Sequence, residues 1–328
     1  MDDLLAALKA VAESTRLRIL AALSQAELNV KEITFVLGQS QPRVSRHLKL
    51  MADAGLIDRH KEGNWVLFRL SEQGQAAALS RALVQMLPGA DPLLRADAQR
   101  LDEVRKRRQD LASAYFRANA ANWAKLRSLH VREADVEQAT LSAIGSEPID
   151  MVIDLGTGTG RMLELLASQS RQLVGIDSSR EMLAFARANI EKAGLKNAQL
   201  RHGDIYALPL ADGIADLVCL HQVLHFLDDP QRAITEARRI MAPGARLVIV
   251  DFAPHDLEEL RDDHAHRRLG FSDEQISAYL ARVGLNLEKH QILPPPKSLD
   301  GQGLTVSFWL ARQGEAHGSA AGLERMTA

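Results

Sequence analysis

The chain is expected to fold as two domains of different class: a mainly helical N-terminal domain carrying one β-hairpin, then an α/β domain built on a parallel sheet. Three observations lead there. At 328 residues, two domains are the natural expectation. From about residue 149 onward, short apolar runs alternate with amphipathic helical stretches, the pattern of a parallel sheet covered on both faces. Before residue 88, apolar residues recur at helical spacing, and only the stretch 57–70 reads as paired strands.

The helices follow in order. Leu4, Leu5, Leu8 and Val11 share one face of a helix over 4–12. A second begins near Ser14-Thr15 and runs through Leu17, Ile19, Leu20 and Leu23. A third covers Val30 to Leu37 and stops at Gly38. Ser40 then stands where a fourth helix needs a cap, with Pro42 in its first turn, where a missing N–H costs nothing. In this fourth helix Val44, Leu48 and Met51 form an apolar face. Ser45, Arg46 and Lys49 lie opposite, flanked by Arg43, with Gln41 leading. No Asp or Glu occurs between Glu32 and Asp53. A basic face on the second helix of a helix-turn-helix suits the major groove: Arg and Lys reach phosphate or guanine, and Gln pairs with adenine.

Gly55-Leu56-Ile57 leads into Asp58-Arg59-His60, a charged turn at Lys61-Glu62-Gly63-Asn64, and a strand from Trp65 to Leu70. A hairpin placed after a helix-turn-helix is a wing. The runs Glu13-Ser14-Thr15-Arg16-Leu17-Arg18-Ile19-Leu20, Ser45-Arg46-His47-Leu48 and Gly55-Leu56-Ile57 resemble the ArsR family of bacterial repressors over about residues 4–87. The resemblance implies operator DNA as a partner, read by Gln41, Arg43, Ser45, Arg46, Lys49 and, from the wing, Lys61. It also implies a homodimer made by the terminal helices, the last being 71–87 with Ala76, Leu79, Leu83 and Leu87 in line. Metal-sensing members carry a Cys-x-Cys pair near the start of the third helix. Asn29 and Lys31 occupy those positions here, so no thiolate is offered to a soft metal.

Pro88-Gly89-Ala90-Asp91-Pro92 reads as a linker, and 93–130 as long helical segments. Acid-first i,i+4 pairs, Asp102/Lys106 and Glu103/Arg107, argue a solvated face. The cluster Arg105-Lys106-Arg107-Arg108 is read the same way rather than as a DNA contact. Tyr115, Phe116 and Trp123 follow; Tyr115 either lines the site ahead or packs in a core.

The second domain opens on Val152-Ile153-Asp154-Leu155-Gly156-Thr157-Gly158-Thr159-Gly160-Arg161, a buried strand, a glycine turn and a helix start. The glycines permit close backbone approach, and the helix start aims free N–H groups at a ligand. A dinucleotide fingerprint is absent, because Arg161 stands where its third glycine belongs, and no G-K-[ST] phosphate loop is present. Instead Asp154 precedes the turn, and a carboxylate there attracts an amino group. A second strand, Gln172 to Ile176, ends in Asp177, placed to bind two ribose hydroxyls. A third, Gln199 to His202, leads to Asp204, which can accept from an adenine amino group. Three acids at ordered strand ends resemble the class I S-adenosylmethionine-dependent methyltransferases over roughly residues 110–311. The resemblance implies a Rossmann-like domain with a seven-stranded sheet. It also implies cofactor contacts at Asp154, Gly156, Thr157, Gly158, Gly160, Asp177, Ser178, Asp204, Ile205 and His221. The expected domains are therefore 1–87 winged helix, 88–130 linker and lid helices, 131–313 methyltransferase, and a disordered tail over 314–328.

Strand four ends in Cys219-Leu220-His221-Gln222-Val223-Leu224-His225, at the carboxyl edge where such sheets bind ligands. His221 and His225 are thus candidates for the general base of methyl transfer. The alternative has His221 touching only the cofactor and His225 packed beneath the next loop. DNA-methylating patterns are missing: there is no Asn/Asp-Pro-Pro-aromatic run, and Cys219 follows Val218 rather than proline. Past strand five, His255, His264 and His266 stand among Asp256, Asp262 and Asp263. A charged helix is the simpler reading than a metal site, and recognition of an acidic substrate by Arg267 and Arg268 is a further alternative.

Composition limits the remainder. One cysteine in the chain excludes a disulfide framework, a multi-thiolate metal site and the several thiols that arsenic methylation needs. Met1-Asp2-Asp3 begins no signal peptide and no apolar run reaches membrane length, so the cytoplasm is expected. Two functions fit. One is a regulator fused to an enzyme that methylates a small molecule. The other is a non-catalytic sensor in which S-adenosylmethionine or S-adenosylhomocysteine controls operator binding.

Overall fold

The computed structural model describes residues 1–62, 65–71, 74–120, 133–295 and 303–314. The chain forms two compact units. The first comprises Met1–Asn119 together with two later segments, His225–Pro230 and Pro254–Gly270. The second comprises the intervening stretches Ala120–Leu224 and Gln231–Ala253 and the chain from Phe271.

In the first unit, helices α1 (Asp2–Val11), α2 (Ser14–Leu23), α3 (Val30–Leu37), α4 (Gln41–Asp53) and α5 (Gly74–Met86) accompany a small antiparallel sheet. Its strands are β1 (Leu28–Asn29), β2 (Ile57–Glu62) and β3 (Trp65–Leu70), in the order β1-β3-β2. The hairpin register pairs Ile57 with Leu70 and Glu62 with Trp65. Strand β1 was not foreseen, because two residues carry no periodicity. Helix α3 starts at a capping box in which Asn29 and Glu32 satisfy each other's backbone N–H, and it ends at Gly38 with φ +63°. Ser40 holds the N-cap position of α4 without making a side-chain cap bond. The core gathers Ile19, Leu20, Leu28, Ile33, Val44, Leu48, Met51 and Leu56, each at most 1 % exposed, so the apolar stripes read from the sequence face one another.

The first unit does not end at residue 87. Helix α6 (Pro92–Asn119), begun by Asp91 accepting from the N–H groups of Leu93 and Leu94, packs along α2 and α3. Asp97 lies on its inner face with a 5 % exposed side chain, and the Arg18 guanidinium donates to both its oxygens at 2.6 and 2.7 Å. Arg18 also donates to the Leu37 carbonyl, and Arg100 to that of Val36. The basic cluster is engaged as well. Arg105 pairs with Asp102 and donates to the Gln25 carbonyl, Arg107 lies over the Phe35 ring, and Arg108 is buried among acids. These non-local clamps, invisible to an i,i+4 reading, make the expected lid helix part of the helical unit. Trp123 and the rest of that expected lid lie outside the described residues.

The second unit holds a seven-stranded sheet in the order β6-β5-β4-β7-β8-β10-β9. Strands β4 (Ile149–Leu155), β5 (Ser170–Asp177), β6 (Ala198–His202), β7 (Ala215–His221) and β8 (Met241–Phe252) run parallel. β10 (Val306–Gln313) runs antiparallel between β8 and β9 (Leu285–Leu293). Helices α7 (Glu133–Ile144), α8 (Arg161–Leu166), α9 (Arg180–Lys192), α10 (Pro230–Ile240) and α12 (Asp273–Arg282) belong to this unit, whereas α11 (Glu259–Asp263) belongs to the first. Helix α7 was not foreseen, although Val136, Ala139, Thr140 and Ile144 form a buried i, i+3, i+4, i+8 stripe. The tail expected to be disordered lies outside the described residues from 315 onward. Among the described residues no helix is long and apolar enough to cross a membrane.

Candidate functional site

The second unit assembles a cradle at the carboxyl ends of β4, β5 and β6. Beyond Leu155 the chain turns under the next strand, the N–H groups of Gly156 and Thr157 donating to the Ile176 carbonyl at 2.8 and 3.0 Å. Gly156 has φ +73°, and a Cβ there would lie 2.4 Å from Cγ2 of Val223. Gly160, at φ +87°, is the N-cap of α8. Glycine is therefore required at both ends of the turn, by conformation and, at Gly156, also by space. Gly175 of β5 makes room from below, since a Cβ there would meet Thr157 Oγ1 at 2.7 Å.

The three acids are positioned by this backbone. Asp154, 1 % exposed, closes β4 beside the turn. Asp177 closes β5; one carboxylate oxygen accepts from Gly158 N–H and the other from Ser179 N–H, both at 2.8 Å. Burial nevertheless pushes its pKa up. The Ser178 N–H also faces this carboxylate, whose two oxygens offer about four acceptor sites in all. Ser178 lies in that same turn, where its carbonyl stands 3.1 Å from His202 Nε2. Asp204 is exposed and one oxygen accepts from Tyr206 N–H in an Asx turn, with Ile205 half-buried between them. Acceptors outnumber donors along this edge, which fits a cationic nucleoside bearing an amino group, ribose hydroxyls and an exocyclic amine.

His221 ends β7 level with Val250 of β8. It lines a small recess with Gln222, Glu133, Glu137, Arg161 and Met162. Gln222 has φ +51°, and its N–H donates to the Val250 carbonyl at 2.7 Å. A non-glycine residue held there is strained, a feature that gathers at functional positions. Arg161, which follows the last glycine, donates to both oxygens of Glu137 at 2.6 and 2.8 Å and to Glu164 at 2.9 Å. Sequence reasoning missed Glu137 and Gln222: one needs α7 placed first, the other a backbone angle. Cys219 is fully buried in β7, and burial foremost, then the charge of Asp154, pushes its thiol pKa well up.

His225 belongs to the other unit. It is 2 % exposed, its ring centroid is 4.2 Å from that of His266 and 4.0 Å from that of Phe226. The packed alternative thus describes it better than a base open to substrate. In the same unit Tyr115 bonds through its hydroxyl to His264 Nδ1 at 2.8 Å, and burial pushes its pKa up to about 12. Arg267 and Arg268 are turned inward onto Asp228 and Glu27 rather than presented to a substrate. Among the described residues no group of three His, Cys, Asp or Glu side chains is placed to hold a metal ion.

On α4 of the first unit, Gln41, Arg43, Ser45, Arg46 and Lys49 are exposed, as is Lys61 on β2, while Val44, Leu48 and Met51 are buried. Arg43 leans toward Glu13 at 3.7 Å but keeps a 59 % exposed side chain.

Comparison with known proteins agrees with both halves. Residues 13–59 match the family described as bacterial regulatory protein, arsR family, and residues 153–249 match a methyltransferase domain. An arsenite methyltransferase of Aquipseudomonas alcaligenes is 33 % identical over 155 residues, covering 38 % of this chain and 45 % of the relative. A demethylmenaquinone methyltransferase of Thermus thermophilus is 36 % identical over 105 residues, 31 % and 47 % of the two chains. The chain thus spans less than half the length of these relatives. Among solved structures, a chain of the complex between the Haloferax volcanii Trm112 methyltransferase activator and a methyltransferase superposes with a TM-score of 0.50 at 21 % identity. It covers 61 % of this chain and 98 % of that one, a likeness of fold. The chain joins an ArsR-family helix-turn-helix domain to a class I S-adenosylmethionine-dependent methyltransferase domain.

Proposed function

We propose that the protein is a DNA-binding transcriptional regulator whose second domain methylates a small molecule. The observation that carries this reading is the cradle itself, in which a glycine turn with no room for a Cβ at Gly156 is ringed by Asp154, Asp177 and Asp204. Asp154 takes the amino group, Asp177 the ribose hydroxyls, and Asp204 with Ile205 the adenine. The turn from Gly156 to Gly160 and the Ser178 turn complete the enclosure. Bound there, S-adenosylmethionine supplies a methyl group on a sulfonium whose leaving group needs no activation. The protein's part is then alignment and proton removal. His221, on the recess at the end of β7, takes the proton of the acceptor as its nucleophile is methylated, and Gln222 orients that acceptor.

The relatives named as methyltransferases support catalysis over a sensor without turnover. Arsenite is a poor candidate for the acceptor, although two relatives bear that name. A trivalent arsenic centre is soft and wants several thiolates, and this chain has one thiol, buried. An oxygen, nitrogen or carbon nucleophile of a small metabolite fits the recess better.

The first domain reads duplex operator DNA, with α4 in the major groove and Lys61 on the flanking backbone. A homodimer in the cytoplasm, reading a palindromic site, completes this proposal. The test is calorimetric titration with S-adenosylhomocysteine. Asp154→Asn and Asp177→Asn should each weaken binding at least tenfold, while His221→Ala should leave it within about threefold and abolish transfer of labelled methyl groups into a metabolite extract. Unchanged affinity in both aspartate variants would refute the cradle.

A further inference from the structure

The two segments His225–Pro230 and Pro254–Gly270 follow β7 and β8, the strand ends at which open α/β sheets bind ligands. Both are nonetheless built into the helix-turn-helix unit. They are first locked to each other. The His225 carbonyl accepts from the N–H groups of Arg267 and Arg268 at 2.7 and 3.0 Å, and the rings of His225 and His266 meet at a 37° tilt beside it. Arg267 then donates through Nε to Asp228 at 2.9 Å, and Arg268 to the Asp228 carbonyl.

From there an ion network runs into the DNA-binding elements. Asp228 also accepts from Arg108 at 2.9 Å, and Arg108 reaches Glu32 at 2.6 Å. Arg268 pairs with Glu27. Arg108 and Arg268 have side chains no more than 9 % exposed, and Glu27 12 %. Glu32 is also the residue that closes the capping box of α3, the helix directly before the recognition helix. The wing is attached at two points: His60 of β2 lies 3.1 Å from Glu27, and the Arg261 guanidinium lies over the Trp65 ring of β3 at 4.6 Å.

Three guanidiniums balanced by three carboxylates in a largely buried setting, Asp228 at 27 % the most exposed of them, add little net stability, but they fix registry, because a misplaced member leaves a largely buried charge uncompensated. A loosely held surface contact would need no such network. We propose that the cluster of Arg108, Arg267 and Arg268 with Glu27, Glu32 and Asp228 is the coupling element of the protein. Through it, a ligand that repositions the chain after β7 and β8 shifts α3 and the wing, so methyl-donor occupancy and DNA affinity are linked in a catalytically competent enzyme. This rests on the function proposed above and gives that site its regulation.

The coupling must be reciprocal: S-adenosylhomocysteine changes DNA affinity by the factor by which DNA changes affinity for it. The experiment uses the full chain and a fluorescein-labelled duplex from upstream of its own gene. Anisotropy is read at one salt concentration with and without saturating S-adenosylmethionine or S-adenosylhomocysteine. At least one of the two should shift DNA affinity by about fivefold or more, the lower end of typical coupling. Glu32→Gln retains a capping-box side chain but not the charge, and Asp228→Asn removes the carboxylate shared by Arg108 and Arg267. Each should reduce the shift below twofold with the affinity for each ligand alone changed little; the uncompensated guanidinium lowers the melting temperature, so binding is read well below it. A wild-type protein that binds duplex and nucleoside with less than a twofold shift overturns the coupling and leaves the two-domain function standing. Wild-type coupling retained in both variants overturns the role of the network. Failure to bind either ligand overturns the function itself.

Discussion

Gly156→Ala is expected to disable the methyl-donor site, and the structure sets the size of the effect. Gly156 holds φ +73°, a left-handed conformation. An L-residue there loses about 1–2 kcal/mol to its own Cβ. The added methyl would also lie 2.4 Å from Val223 Cγ2 and 2.9 Å from its Cβ. Val223 is β-branched and stiff at χ1, so it cannot swing clear without moving the chain after His221. Overpacking of this kind adds about 1–3 kcal/mol. The total is roughly 2–5 kcal/mol, taken from local stability and from affinity for S-adenosylhomocysteine. The two contributions are partly separable, since Val223→Ala removes the 2.4 Å contact and leaves the 2.9 Å contact with Cβ and the backbone strain. Gly156→Ala/Val223→Ala should therefore recover about 1 kcal/mol or more of the packing part and none of the conformational part. Denaturant unfolding and calorimetric titration on the four proteins of this cycle measure both. A Gly156→Ala protein as stable as wild type, binding the nucleoside within twofold, would refute the assigned turn geometry.

Further outcomes follow from the first unit. Asp97→Ala leaves the Arg18 guanidinium buried without its carboxylate, and breaking such a pair should destabilise the protein by about 3–5 kcal/mol. A loss below 1 kcal/mol in urea would place α6 outside the helical unit. His47 has its pKa held below the ordinary imidazole value of 6.5, by burial foremost, with Arg16 and Arg43 adding to it against Glu13. The unfolded chain therefore takes up the proton first. The stabilisation is fully present above pH 6.5 and is lost as pH falls through the lower folded value. His47→Gln should flatten the melting temperature over that window, and an unchanged slope would contradict the assignment. Arg46→Ala should weaken binding to the upstream duplex at fixed salt, and equal affinity would displace α4 as the reading helix.

Which parts of this molecule could be read from its sequence follows the range of the interactions involved. Helix α3 could be bounded to the residue, because Asn29, Glu32 and Gly38 settle its ends within ten positions. The hairpin followed from alternation and a turn, and the parallel sheet of the second unit from alternation together with the acid-ended strands. The cradle was legible for the same reason: Asp154, the glycines and Asp177 lie within 24 residues of chain, and each sits at a strand end the pattern marks. What escaped depends on partners that periodicity does not link. Arg18 and Asp97 are 79 residues apart, Arg108 and Asp228 120. A run such as Arg105-Lys106-Arg107-Arg108 reads as a solvated face until its acids are placed in space. His225 shows how the same limit misleads at a site. Four residues from His221, it invites the same chemical role. Yet its environment is set by His266 and Phe226, and its carbonyl by Arg267 and Arg268, some forty residues on. Sequence proximity assigned the two histidines together; packing separates them. A His225→Gln variant that lost structure rather than turnover alone, seen as a lowered melting temperature, would follow from that separation. A normal melt with abolished methyl transfer would restore it as a base.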